Sequence, residues 1–154
     1  MKRFEPLLYG AVMAVLLVAL IAEGRRSAAL DGKLALNAKE LYGLLSNPQV
    51  KLQLVDLRAY DDDNYLDAHV PGSVPMPDCS IENAPPAARD RIYPYVQTVL
   101  IAGDGQEAAV ERCRGQFMNA RVLAGGMTAW SDALLPEDVG DYSPPKNSAG
   151  GGCL

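Results

Sequence analysis

Short apolar runs alternate with amphipathic stretches through the middle of the chain. The apolar runs predict strands at residues 34–36, 52–57, 73–76, 98–102 and 121–123. The intervening patterns predict helices over 37–45, 60–68 and 106–117, and a further helix that opens at the Gly125-Gly126 turn. Because strands that alternate with helices favour a parallel sheet covered by helices, the expected fold class is α/β with a central, mostly parallel sheet.

Local capping and breaking residues define several of these boundaries. Asn37 followed by Glu40 is typical of a capping box at a helix start, and Asn47-Pro48 ends the same helix. Residues 78–91 contain two prolines and mixed charges, which indicates a loop or a broken helix. The run Thr98 to Ala102 is the most apolar short strand and is therefore expected at the centre of the sheet.

The loop after this central strand is the most informative segment for function. It reads Ala102-Gly103-Asp104-Gly105-Gln106-Glu107 and leads into a predicted helix. A glycine-rich turn at a helix N-terminus directs backbone N–H groups towards one point, which suits an anion or a thiolate. Yet the loop contains no Cys, no Ser and no basic residue. It therefore has the shape of an active-site loop without the usual chemistry.

Two flanking groups of motifs suggest a family. Upstream are Leu54-Val55-Asp56-Leu57-Arg58, Tyr65 and Ala68-His69-Val70-Pro71-Gly72-Ser73, and downstream is Arg121-Val122-Leu123-Ala124-Gly125-Gly126-Met127-Thr128-Ala129-Trp130. From about Leu34 to Leu135, the chain resembles the rhodanese-like (sulfurtransferase-like) domain family. Members of that family have an Asp-x-Arg strand end, a Gly-His-x-Pro-Gly-Ala turn, a Cys-x-x-Gly-x-Arg-Ser loop and a closing Leu-x-Gly-Gly-x-x-x-Trp segment.

The resemblance implies a sulfurtransferase whose loop cysteine carries sulfur as a persulfide. Aligned through Gly105, this chain has Ala102 at the nucleophile position and Glu107 where the family often has Arg, with Asp104 as a further acid. Carboxylates beside such a loop raise a thiol pKa and repel thiosulfate. Ordinary activity at the loop is therefore predicted to be absent. The resemblance assigns framework roles to Asp56, Arg58, His69, Gly125, Gly126 and Trp130.

The three cysteines are Cys79, Cys113 and Cys153. Cys113 has the helical spacing of a core residue, which is the favoured interpretation, whereas Cys79 could be a free thiol or could pair with Cys113 if the domain is exported. Cys153 follows a glycine-rich arm where packing does not explain it. Cys153 and Cys79 are thus the alternative thiols for sulfur transfer. The scattered spacing predicts no metal site, and no cofactor is expected.

The two ends of the chain differ from the central domain. Residues 1–29 are predicted to be a signal anchor or a cleaved signal peptide, with an apolar run from Pro6 to Ala22 after Lys2 and Arg3. An uncleaved transmembrane anchor is favoured, although Ser27-Ala28-Ala29 offers a cleavage site. Residues 30–135 form the predicted domain, which is expected on the extracytoplasmic (periplasmic) side. Residues 136–154 are predicted to be a flexible, glycine-rich tail.

Charge and motif content leave two main functional hypotheses. The net charge of −5, without a large basic cluster, argues against a nucleic-acid partner. The first hypothesis is a non-catalytic binding or assembly module at a membrane, with a protein or a sulfur-containing small molecule as partner. The second is a sulfur carrier or thiol enzyme that uses Cys153 or Cys79. A small-anion sensor is a third alternative, which Asp104 and Glu107 disfavour.

Overall fold

The computed structural model describes residues 34–103 and 107–144. Its strands are β1 (Ala35–Leu36), β2 (Gln53–Asp56), β3 (Val74–Pro75), β4 (Gln97–Ile101) and β5 (Asn119–Leu123). Its helices are α1 (Ala38–Leu45), α2 (Pro86–Arg89), α3 (Glu107–Arg114) and α4 (Gly126–Asp132), with one 3₁₀ turn at Pro77–Cys79. The strands form one sheet in the order β1-β5-β4-β2-β3, and every neighbouring pair is parallel. The predicted α/β class is confirmed.

Two apolar clusters cover the two faces of the sheet. On one face, α3 contributes Val110 and Cys113 to a cluster with Val55 and Leu100. On the other face, Leu41 of α1 and Trp130 of α4 pack with strand residues that point the opposite way, such as Val99. Alternation along β2 and β4 sends successive side chains to opposite faces, so each strand supplies both clusters. All four residues of β2 and the last four of β4 are buried, as expected for inner strands.

Local sequence determines where the first helix begins. The Asn37 side chain accepts a hydrogen bond from the Glu40 backbone N–H at 2.9 Å. The Glu40 carboxylate accepts one from the Asn37 backbone N–H at 3.0 Å. These two contacts form the capping box that the sequence predicts, and they satisfy two backbone donors that a helix start would otherwise leave unpaired.

The predicted helix over residues 60–68 is wrong, because this segment forms successive turns. The Arg58 guanidinium donates to the carbonyl oxygen of Ala68 at 2.8 Å, so that carbonyl faces the buried strand end. The Tyr65 N–H reaches back to the carbonyl of Ala59 instead of closing a helical turn. Tertiary hydrogen bonding has therefore overridden the local amphipathic pattern. The predicted loop or broken helix over 78–91 contains the end of the 3₁₀ turn and α2.

The segment after α4 also differs from the expectation of a flexible tail beginning at residue 136. The Trp130 indole N–H donates to the Pro136 carbonyl at 2.8 Å. Asp138 and His69 exchange two backbone hydrogen bonds, each 2.9 Å long. Tyr142 is buried beside Tyr65. Residues 136–142 therefore pack against the domain, while the glycine-rich residues 145–154, including Cys153, lie outside the described part.

The predicted anchor or signal peptide within residues 1–29 also lies outside the described residues. Within 34–103 and 107–144, no helix is long and apolar enough to cross a bilayer. The choice between an anchor and a cleaved signal thus stays a prediction.

Candidate functional site

The candidate site lies at the C-terminal ends of β2 and β4, where ligands bind in open parallel sheets. Ala102 and Gly103 follow directly after β4. The Ile101 carbonyl accepts a hydrogen bond from Leu57 N–H at 2.8 Å, and the Ala102 carbonyl accepts one from Met127 N–H at 2.9 Å. The end of β4 is thereby held between the β2 exit and the start of α4.

Gly126 is required by this close approach. It has a φ of +57°, and a Cβ added to it would overlap the carbonyl oxygen of Ala102. Gly125 has a φ of +73°, and its Cβ would lie 2.7 Å from the Ala129 side chain. The two glycines therefore let the first turn of α4 contact the end of β4, which any larger residue would prevent.

Ala102 is 5% exposed and its methyl group belongs to the apolar cluster that includes Val110 of α3. A methyl group can neither attack a sulfur atom nor carry one. Asp104, Gly105 and Gln106 lie outside the described residues, as does the side chain of Glu107. The acidic rim predicted from Asp104 and Glu107 is therefore an expectation from the sequence.

A disulfide lies in the same apolar cluster as Ala102. Cys79 and Cys113 are bonded, with Cα atoms 5.4 Å apart, and they join the 3₁₀ turn after β3 to α3. Asp78 and Cys79 have φ values of 53° and 61°, a conformation that non-glycine residues rarely adopt. The disulfide corrects the favoured interpretation that Cys113 is only a core residue. Although Cys113 is fully buried in the core, it is also half of a disulfide. Cys79 is not a free thiol in this state.

Asp56 and Arg58 form a buried ion pair at the end of β2. Arg58 Nη2 lies 2.7 Å from Asp56 Oδ2, and Arg58 Nε lies 3.0 Å from Asp56 Oδ1. The Arg58 backbone N–H also donates to Asp56 Oδ1 at 3.0 Å. Asp56 is the strand partner of Ile101, so the pair lies next to the end of β4. Since Arg58 also binds the Ala68 carbonyl, its guanidinium holds the 60–68 turns in place.

His69 packs inside the domain. Its ring stacks on Tyr65 with centroids 4.0 Å apart and an interplanar angle of 9°. Its Nδ1 lies 2.9 Å from the Tyr65 carbonyl oxygen, which can only accept, so Nδ1 is protonated and donates. These contacts use the ring for packing and for one structural hydrogen bond.

Tyr65 contacts both His69 and Ser73 inside the domain, a role that the sequence alone does not indicate. Its hydroxyl donates to the Ser73 carbonyl at 2.6 Å. Burial is the main reason why the pKa of the Tyr65 hydroxyl is raised above its usual value, and the Asp56 charge raises it further. The Ser73 hydroxyl is buried and has no hydrogen-bond partner within the described residues. A tyrosine and a serine eight residues apart give no pattern that predicts this contact.

The structure thus brings some predicted residues together and leaves others apart. Asp56, Arg58 and Ala102 converge at one edge of the sheet, and Gly126 contacts Ala102 directly. Trp130 is fully buried on the opposite face from the disulfide. Within the described residues, no group of three His, Cys, Asp or Glu side chains is arranged to hold a metal ion.

A comparison with protein-family models decides the classification. The model described as Rhodanese-like domain matches residues 37–133, which is more than half of the chain. The chain belongs to the rhodanese-like domain family. No protein with a curated functional description matches it significantly.

Solved structures share this rhodanese fold. The Alr3790 protein from Anabaena sp. has 24% identity and a TM-score of 0.54, with 68% of this chain and 81% of that chain covered. A 3-mercaptopyruvate sulfotransferase, SseA from Escherichia coli, has 18% identity and a TM-score of 0.55, covering 79% and 57%.

A thiosulfate sulfurtransferase from Pseudomonas aeruginosa has 23% identity and a TM-score of 0.53. The match covers 69% of this chain but only 19% of that protein, so the chain corresponds to a small part of it. At these identities, the three likenesses show the fold alone.

Proposed function

We propose that this protein is a rhodanese-like binding or assembly module, exported or held at a membrane, that does not transfer sulfur at its loop. The observation that supports it most is the residue directly after β4. There, Ala102 presents a buried methyl group, while its carbonyl is held by Met127 N–H. The Asp56–Arg58 ion pair forms next to the end of β4, but the Ala102 side chain has no nucleophilic atom.

The disulfide gives a second line of support. The two cysteines of the domain are bonded to each other, so neither offers a thiol in the oxidised protein. Disulfides form and persist in oxidising compartments, which fits a domain on the extracytoplasmic side. Cys153 is then the remaining cysteine of the chain.

Charge near the loop favours the same proposal. In a sulfurtransferase, cations lower the pKa of the attacking thiol and attract the anionic donor. Here Arg58 is paired with Asp56, and the sequence places Asp104 and Glu107 in the loop. A loop with such charges disfavours thiosulfate, so a neutral or cationic partner, such as a protein segment, fits it better.

The activity test compares the full wild-type chain with the loop variant Ala102→Ser. Purified protein is mixed with thiosulfate and cyanide, and thiocyanate is measured over time. Wild type and Ala102→Ser should both stay at the background rate, because neither has a thiol at the loop. Thiocyanate formation by wild type above background would overturn the proposal. If that activity disappears in Cys153→Ser, the alternative function, a sulfur carrier that uses the Cys153 thiol, is supported instead.

The tether is tested separately. Cells expressing the full chain are fractionated, and the N-terminus of the mature protein is determined by mass spectrometry. Recovery in the membrane fraction with residues 6–22 retained supports an anchor. A mature N-terminus at Leu30 supports a cleaved signal, and reduced cysteines in a cytosolic fraction would overturn export.

A further inference from the structure

One surface of the domain combines exposed apolar side chains with basic residues. It lies at the N-terminal edge of the sheet, where the connections 46–52, 90–96 and 115–118 lead into β2, β4 and β5. Met118 N–H donates to the Pro94 carbonyl at 3.0 Å, so two of these connections adjoin. Tyr93 N–H donates to the Gln53 side chain at 2.8 Å, which fixes the 90–96 connection to β2. We call this surface the entry edge.

The entry edge exposes large apolar side chains to water. Tyr95 is 82% exposed and Met118 is 66% exposed, and Tyr93 is also exposed beside them. Single exposed apolar residues are common on soluble proteins and need no explanation. Tyr95 and Met118 differ from such single residues because they lie on two connections that share a backbone hydrogen bond. Larger apolar patches on a protein surface mark interaction sites.

The charge of the entry edge is opposite to that of the whole protein. Its connections and the last turn of α3 contain four basic residues and two acidic ones, which are Lys51, Arg91, Arg112, Arg114, Asp90 and Glu111. Arg114 pairs with Glu111 at 3.0 Å, while Lys51 and Arg112 are exposed. Since the whole chain has a net charge of −5, this surface is a locally basic part of the described domain.

The parallel topology places the chain entrance on the same side. Because β1 runs parallel to β5, Leu34 and the start of β1 lie at the N-terminal edge of the sheet. The apolar run of the sequence ends at Ala22, so residues 23–33 link it to the domain. Eleven residues span at most about 40 Å when fully extended. A tethered domain therefore stays close to a bilayer, where even weak surface contacts become effective.

We propose that the entry edge docks on an anionic lipid surface, with Tyr95 and Met118 at the headgroup level and Lys51 and Arg112 near anionic lipids. Tyrosine is enriched at membrane–water interfaces, and Lys and Arg are attracted to anionic leaflets. This inference rests on the proposed membrane tether. Docking in this orientation directs the C-terminal ends of the strands, where Ala102 lies, away from the lipid. The candidate site then stays open to a partner in water.

The experiment places one tryptophan reporter at a time in the full chain. Tyr95→Trp and Met118→Trp report on the entry edge, and Ile81→Trp is the matched control. Ile81 is 48% exposed and lies outside the three connections of the entry edge. Trp130 is fully buried and gives a constant background. Each variant is reconstituted in vesicles containing phosphatidylglycerol, with or without brominated acyl chains that quench nearby tryptophan.

We expect at least two-fold quenching at positions 95 and 118 and little at position 81. Adding Lys51→Glu and Arg112→Glu should reduce the quenching, as should vesicles of phosphatidylcholine alone. If the protein floats with vesicles but positions 95 and 118 are not quenched, docking is refuted while the tether stands. Quenching as strong at position 81 would also refute it. A fluorescence shift at position 95 that needs protein concentration rather than lipid would identify a protein occupant instead. If the protein does not float with vesicles, the tether itself fails.

Discussion

Reduction of the Cys79–Cys113 disulfide should strongly destabilise the domain. The bond closes a loop with a sequence separation of 34 residues. In the chain-entropy model, a loop of that size stabilises the folded state by about 4 kcal/mol at 25 °C. Domains of this size are usually stable by only about 5–15 kcal/mol, so the bond supplies a large fraction of the total.

The assay is urea unfolding followed by the fluorescence of Trp130, which is the only tryptophan and is buried in the domain. With 1–3 kcal/mol per M as the usual dependence on urea, reductant should lower the unfolding midpoint by roughly 1–4 M. Reduction breaks the bond without removing any side-chain atom. The comparison therefore avoids the cavity that a substitution would create.

The double variant Cys79→Ala/Cys113→Ala is the matched control, because reductant has no bond to break in it. Its midpoint should be the same with and without reductant. An equal midpoint for wild type in the two conditions would refute the stabilising role. Alkylation of three thiols in unreduced, denatured wild type would refute the bond itself.

Three further predictions concern the framework of the site. Gly126→Ala should destabilise the domain by at least about 2 kcal/mol because its Cβ meets the end of β4 at a positive φ, whereas Gly43→Ala, in an open helical position, should stabilise it by about 0.5–1 kcal/mol in thermal unfolding. Arg58→Ala should cost about 3–5 kcal/mol in urea unfolding, because it leaves the Asp56 carboxylate buried without its partner. Stability in urea unfolding should fall above pH 10, since the Tyr65 pKa is raised from its ordinary value of 10.0, and this fall should be smaller in Tyr65→Phe.

Each of these has a distinct contradicting result. Equal effects of the two glycine substitutions would show that α4 does not contact Ala102 as described. An Asp56→Ala/Arg58→Ala double variant less stable than Arg58→Ala would show that the lone carboxylate is not the source of the loss. For Tyr65, the folded state keeps the neutral hydroxyl while the unfolded chain loses its proton as pH rises. Stability that is unchanged by alkali, or unaffected by Tyr65→Phe, would contradict that linkage.

Much of the sheet could be predicted because its information is local. The buried run ending at Ala102 has no polar interruption other than Thr98, and the Asn37–Glu40 capping box involves residues only three apart. Gly125-Gly126 marks a turn whose positive φ values few other residues adopt. Each of these features needs only its immediate neighbours to form.

The errors occurred where distant residues decide the structure. The 60–68 segment has a helical pattern, but the Arg58 guanidinium donates a hydrogen bond to the carbonyl oxygen of Ala68. The segment after Pro136 has no helical or strand pattern. It is held by two backbone hydrogen bonds between Asp138 and His69, which do not depend on the identity of the side chains. The Cys79–Cys113 bond joins residues 34 positions apart, and spacing alone gives no distance between them.

We expect that no cysteine of this rhodanese-like domain accepts sulfur at the loop that begins with Ala102. The most direct test is the intact mass of the full chain after incubation with thiosulfate, with Ala102→Cys/Glu107→Arg as a variant that restores a thiol and a cation. We predict that the mass of wild type is unchanged, while the variant gains one sulfur atom on the new cysteine. A sulfur atom added to wild type, on any of its cysteines, would show that the protein is a sulfur carrier.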